Sequence, residues 1–181
     1  MSERKIYWRR ATDWGALLGL LIVGLESLIW ILNLEENGTT VILLLTELAI
    51  IGVLWFSGRQ NVYTRWSKPY NYGRSLGFVA LVLLFAGIVR GAGLFVTNEW
   101  LTDGYYTNIL KEQLDFTLNS GEMPEPVRAY LEQSKQEVIR YMHNPLVCML
   151  SGVFSMFDLV LLFVPPIFLR QKQEKNTINN E

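Results

Sequence analysis

Residues 75–96 read SLGFVALVLLFAGIVRGAGLFV, an unbroken apolar run whose one charge is Arg90. At about 1.5 Å of rise per residue, such a run makes a helix about 33 Å long, enough to cross a hydrocarbon core of about 30 Å. In lipid a helix pairs every backbone amide and carbonyl within the segment itself. Three further apolar blocks flank this one, at about 14–33, 40–56 and 145–169. The block at 40–56 is the shortest and must stand nearly upright, whereas 145–169 is long enough to tilt. Half of the 181 residues are apolar, and a soluble domain does not gather them into blocks of about 20. The expected fold class is all-α: a polytopic membrane protein in which residues 1–181 form a single domain with four transmembrane helices.

Charge placement orients the chain. Arg4, Lys5, Arg9 and Arg10 precede the first block, and Arg59, Arg65, Lys68 and Arg74 lie between the second and third with no acid among them. Arg170, Lys172 and Lys175 follow the fourth block. The connection between the first two blocks has only Glu35 and Glu36, and the 48 residues from Thr97 to Asn144 carry eight carboxylates against four basic groups. By the positive-inside rule both termini are cytoplasmic and the long third connection is outside. The first block is long for a signal sequence and lacks a small-residue cleavage pattern, so it reads as an anchor.

The connections have readable chemistry. Asn37-Gly38-Thr39 fits a glycosylation sequon, but it reads more simply as the turn of a tight hairpin. The basic stretch 57–74, with Trp66, Pro69, Tyr70 and Tyr72, suits the headgroup layer of the membrane. In the third connection Val127, Tyr130, Leu131, Val138, Tyr141 and Met142 mark one helical face, and Leu110, Leu114 and Leu118 mark another. Pro124 and Pro126 suit a helix start, Asn119-Ser120-Gly121 a helix stop, and Asn144-Pro145 a break before the fourth span. These features predict an extracytoplasmic amphipathic helical hairpin at about 103–143, capping the bundle between spans three and four. Pro165-Pro166 is expected to kink or end the fourth span.

Inside the spans, Gly15 and Gly19, then Gly87 and Gly91, place small residues four apart on one helix face, where backbones can approach closely. Packing within the bundle is the simpler reading of both pairs, and a dimer face the other. Cys148 is the only cysteine, so an internal disulfide is excluded, and it reads as a small packing residue. His143 is the only histidine and reads as a polar residue at headgroup level. No catalytic, metal-binding or phosphate-binding motif is present, so no catalytic residue, metal or cofactor is expected.

Four ionisable residues interrupt the apolar blocks: Glu26, Glu47, Arg90 and Asp158. Counted from the outer ends of their blocks, Glu26, Glu47 and Arg90 fall about 9–11 Å deep in one layer, and Asp158 lies nearer the midplane. One arginine cannot neutralise three carboxylates. The four therefore read in one of three ways. They can be a structural polar contact that fixes helix register, with Arg90 pairing Glu26 or Glu47. They can form a proton-coupled or ion-binding site, or the floor of a pocket for a polar or lipid headgroup beneath the cap.

The stretch Tyr72-Gly73-Arg74-Ser75-Leu76-Gly77-Phe78, the glycine-rich third span and the acidic helical connection running into Asn144-Pro145 resemble an uncharacterised four-span bacterial inner-membrane protein family, grouped as a domain of unknown function. The resemblance implies a bacterial inner membrane and the four-span layout. It implies no activity and carries over no catalytic residue. The leading expectation is a non-enzymatic accessory or assembly component acting through helix packing and its cap. The alternative is a small proton-linked or ion/lipid-binding transport component using the four charges. Membrane lipid and either a second copy or a larger envelope complex are the expected partners, and nucleic acid is not.

Overall fold

A computed structural model describes residues 3–62, 71–119, 124–157 and 159–169. The described residues are helical throughout, with no strand among them. Helix α1 runs over Glu3–Ile31, α2 over Glu36–Val62 and α3 over Tyr72–Val96. Each is long and apolar enough to cross a membrane. The helices exceed the apolar blocks at their basic ends, because a backbone ladder continues past the hydrocarbon boundary wherever helix-forming residues follow. Two shorter helices, α4 (Tyr105–Asn119) and α5 (Glu125–Met142), pack against each other. The chain ends in α6 (Pro145–Met156) and α7 (Leu159–Phe168), whose axes bend by 51° and which make a fourth span if the bent pair is taken as one.

The turn after α1 differs from the expectation placed on Asn37-Gly38. Those residues lie in the first turn of α2, and the reversal is made upstream by Asn33, whose φ is +46°. Leu34 N–H donates to Ile29 O at 3.0 Å and Asn33 N–H to Trp30 O at 3.4 Å, a Schellman closure with asparagine in the left-handed position. Glu35 O then accepts from Thr39 N–H, opening α2 at once. The tight connection is thus built from the end of one helix, with no separate glycine turn.

The fourth apolar block also differs. Its break falls at Phe157, where the backbone leaves the helical region (ψ +58°), and Pro165 and Pro166 lie inside α7 close to its end. Prolines in the last turns remove only the donors that would have met Leu161 and Leu162, so α7 persists to Phe168. The other expected boundaries coincide with caps. Asn144 accepts from Leu146 N–H with Pro145 in the first turn of α6, and Pro126 sits in the first turn of α5. Trp66, Pro69, Tyr70, Ser120, Gly121, Asp158, the side chain of Val138 and the tail from Arg170 lie outside the described residues.

Helix α3 is the hub, packed against α1 on one side and α6 and α7 on the other. Phe78, Val79, Val82, Leu83 and Ala86 of α3 form the centre of the core with Leu18 and Ile22 of α1, Ile50 and Leu54 of α2, and Met156. Near the basic end Tyr7 stacks edge-on to Phe78 and donates to Arg74 O at 2.7 Å. Trp14 Nε1 donates to Gln60 Oε1 at 3.1 Å, joining α1 to α2.

Glycines set the spacing of α1, α3 and α6. Gly15 and Gly19 of α1 face Val82, Phe85, Ala86 and Val89 of α3, while Gly87 and Gly91 of α3 face Cys148, Met149, Gly152 and Val153 of α6. A Cβ on Gly87 would stand 2.5 Å from Val153 Cα and 2.8 Å from Gly152 O, both backbone atoms that cannot rotate aside. A Cβ on Gly52 would meet nothing within 4 Å. Gly87→Ala is therefore expected to lower stability by about 1–3 kcal/mol, the usual cost of overpacking, and Gly52→Ala to leave it level or raise it. Thermal unfolding of the two variants in a mild detergent tests this. Equal midpoints would show that α3 and α6 do not depend on that approach.

Candidate functional site

The same close approach brings one buried ion pair together. Val23 of α1 sits over Gly93 of α3, so the two backbones remain in contact one turn before Glu26. Glu26 projects from α1 toward Arg90 on α3 and the two meet along one edge of the guanidinium. Arg90 Nη2 donates to Glu26 Oε1 at 2.5 Å and Nε to Oε2 at 3.3 Å. The third nitrogen, Nη1, donates to Ser155 Oγ of α6 at 2.7 Å, and Ser155 Oγ donates in turn to Gly152 O at 2.8 Å. The Glu26 side chain is 10% exposed and that of Arg90 23%. One arginine thus binds three helices, and the bidentate geometry holds the register of α1 on α3.

Of the four charges singled out in the sequence, the structure unites Glu26 and Arg90. Glu47 lies elsewhere: it is exposed on α2 and makes no hydrogen bond or ion pair among the described residues. Asp158 lies outside the described residues. The sequence did not single out Ser155, because a serine within an apolar run carries no distinctive signal. It stands three residues beyond Gly152, which meets Gly87 and Gly91, and only the packing of α3 on α6 delivers it to Arg90.

A second polar assembly closes the C-terminal end of α3. There the helix widens into a π-helical turn, Thr97–Leu101. Buried Asn98 Oδ1 accepts from Thr107 N–H at 3.0 Å and Thr107 Oγ1 at 3.1 Å, and Asn98 O accepts from Gly104 N–H at 2.8 Å. Two left-handed residues, Asp103 (φ +46°) and Gly104 (φ +88°), turn the chain into α4. Glu99 takes Asn98 Nδ2 at 3.1 Å and meets His143 Nδ1 at 2.5 Å, so the π turn is tied to the junction of α5 and α6. These partners are 44 residues apart, and nothing in their spacing could have paired them.

Tyr106, in the first turn of α4, links the two assemblies. Burial pushes its phenol up to about 12, the Glu26 carboxylate and the Tyr105 phenol add to the rise, and Arg90 opposes it. On the same side an open cleft of about 620 Å³ is lined by Glu137, Arg140, Tyr141, His143, Asn144 and Pro145. At the opposite, basic end a cleft of about 750 Å³ lies between the starts of α1 and α3, with Arg4, Tyr7, Trp8, Asn71 and Arg74 on its walls. Among the described residues no group of three His, Cys, Asp or Glu side chains could hold a metal ion. No protein-family model, curated protein or solved structure matches the chain.

Removing one member of a buried pair leaves the other charged and unpaired, at a cost of about 3–5 kcal/mol, whereas replacing both with apolar groups costs far less. Glu26→Ala is expected to lower the unfolding midpoint in mild detergent well below that of the double variant Glu26→Leu/Arg90→Leu. Equal destabilisation by the two would deny the coupling. For Tyr106 the sign follows from linkage. Its phenol rises from an ordinary 10.0 to about 12, so above pH 10 the unfolded chain gives up a proton that the folded chain keeps. Stability is level with respect to this group below pH 10 and falls between pH 10 and about 12. The difference in unfolding midpoint between the parent and Tyr106→Phe isolates the effect, and parallel pH profiles would contradict it.

Proposed function

We propose that this chain is a non-enzymatic accessory or assembly component of the bacterial inner membrane, working by holding a partner rather than by moving or transforming a ligand. In this reading the bent α6–α7 pair is a fourth span, both termini are cytoplasmic, and α4 and α5 form an extracytoplasmic cap. The basic residues at one end of the spans support that orientation. The observation that carries the reading is the closure of Arg90: its three nitrogens are taken by Glu26 and Ser155, all within the chain. In this reading the intramembrane polar group serves as a helix clamp, its guanidinium committed to two neighbouring helices of the same chain.

In this reading one contact surface lies beyond the spans. Trp100 on the π turn, Phe116 on α4 (78% exposed) and Tyr130 on α5 (68% exposed) present large apolar groups away from the core. Asp115 and Lys135 pair between α4 and α5, so these side chains are carried on a fixed pair of helices. Exposed aromatics on a fixed frame are the usual anchors of a protein contact.

The test is affinity purification of the full chain from native membranes in mild detergent, with the mass of every retained species. A stoichiometric partner is expected, retained by Glu26→Gln and lost in Phe116→Ser/Tyr130→Ser. A protein that purifies alone, and whose vesicles show a pH-dependent flux abolished by Glu26→Gln, would overturn this reading in favour of a transport component.

A further inference from the structure

Glu47 is the twelfth residue of the 27 in α2, in the middle of an apolar helix. Its neighbours on the outward side, Leu43, Leu44, Leu48 and Ile51, are all exposed, with Leu44 at 61% and Leu48 at 65%. That surface belongs in hydrocarbon. A carboxylate there lies about 10 Å below Thr40, too deep for a side chain as short as glutamate to reach the headgroups as lysine or arginine do. Isolated ionisable groups facing lipid are costly and rare, and they mark contacts with another polar group.

Among the described residues the chain supplies no such group. Thr46, the adjacent polar residue, is buried and donates back to Ile42 O at 2.9 Å. Arg90, the cation between α1, α3 and α6, is turned to Glu26 and Ser155, which hold all three of its nitrogens away from Glu47. A second copy would bring another Arg90 already paired with its own Glu26 and, across a two-fold axis, another carboxylate opposite the first. Charge complementarity therefore selects a different protein. We infer that the Glu47 flank of α2 docks a transmembrane helix of a partner that carries a lysine or arginine at the depth of Glu47. The inference rests on the association reading above and assigns it an intramembrane contact distinct from the cap.

The experiment uses the full chain in lipid vesicles with two synthetic transmembrane peptides, both Leu/Ala-rich helices. One has a single lysine at the depth of Glu47 and the other has leucine there. Energy transfer from a label on the protein's N-terminus to one on the peptide reads association. The lysine peptide is expected to bind about fivefold to thirtyfold more tightly than the leucine peptide, as one interhelical polar contact provides. Glu47→Leu should erase the difference, and Glu47→Lys should reverse it toward a peptide carrying glutamate. Parent-like helical content of both variants secures the comparison.

Equal binding of the two peptides, or lysine selectivity that survives Glu47→Leu, would overturn the inference. So would self-association of the protein that Glu47→Leu abolishes, since the occupant would then be a second copy. If the natural partner stays bound to Glu47→Leu and is lost only with the cap variant, the α2 contact fails while the association reading stands. Lysine selectivity in a chain that purifies alone from native membranes has the opposite meaning: the α2 flank recognises a cation, and the cap does not hold a partner.

Discussion

Helices in lipid gain nothing from hiding apolar side chains from one another, because the surrounding tails are equally apolar. What holds such helices together is close packing and polar contact, and here both converge on Arg90. Its guanidinium joins Glu26 of α1 to Ser155 of α6 across α3. That triple contact is possible only because Gly15 and Gly19 bring α1 against α3, and Gly87 and Gly91 bring α3 against α6. A bulkier face would hold the helices apart and leave a charge unpaired in hydrocarbon. The glycines and the ion pair are therefore two halves of one constraint, distance and register.

The C-terminal end of α3 repeats the logic with different chemistry. There α3 opens into a π turn, which frees backbone and side-chain groups that a regular helix would consume. Asn98 spends its amide on the start of α4, and Glu99 reaches His143 where α5 meets α6. Burial above all, with Glu26 adding and Arg90 opposing, holds the Tyr106 phenol up. The outer helices are thus fastened at both of their junctions with the bundle, and their exposed aromatics inherit that rigidity.

The long apolar blocks were legible because hydrocarbon thickness imposes a length that composition alone reports. The caps at Asn144-Pro145 and Pro126 were legible because they act within one turn. The turn at Asn33 was misplaced to Asn37-Gly38: asparagine-glycine is a strong local turn signal, but a left-handed asparagine closing α1 had already reversed the chain. The helix end near Pro165-Pro166 was legible, since α7 stops at Phe168, two residues past the pair, whereas the break at Phe157 was not. Prolines near a helix end remove bonds that are fewer there, and Phe157 carries no breaker signal of its own.

From the sequence alone came the all-helical class, the apolar helices of spanning length and the set of charges that interrupt them, since each follows from local composition and periodicity. The tertiary structure decided how those charges are used. Depth along a helix can be counted from residue spacing, and on that count Glu26, Glu47 and Arg90 were equivalent. Azimuth cannot be counted, because it depends on which face each helix turns toward its neighbours. Glycine contacts aim Glu26 and Arg90 at each other, and the packing of Thr46 and Ile50 toward the core turns Glu47 outward. The difference between a clamp and an exposed carboxylate is a rotation of helix against helix, which no single helix specifies.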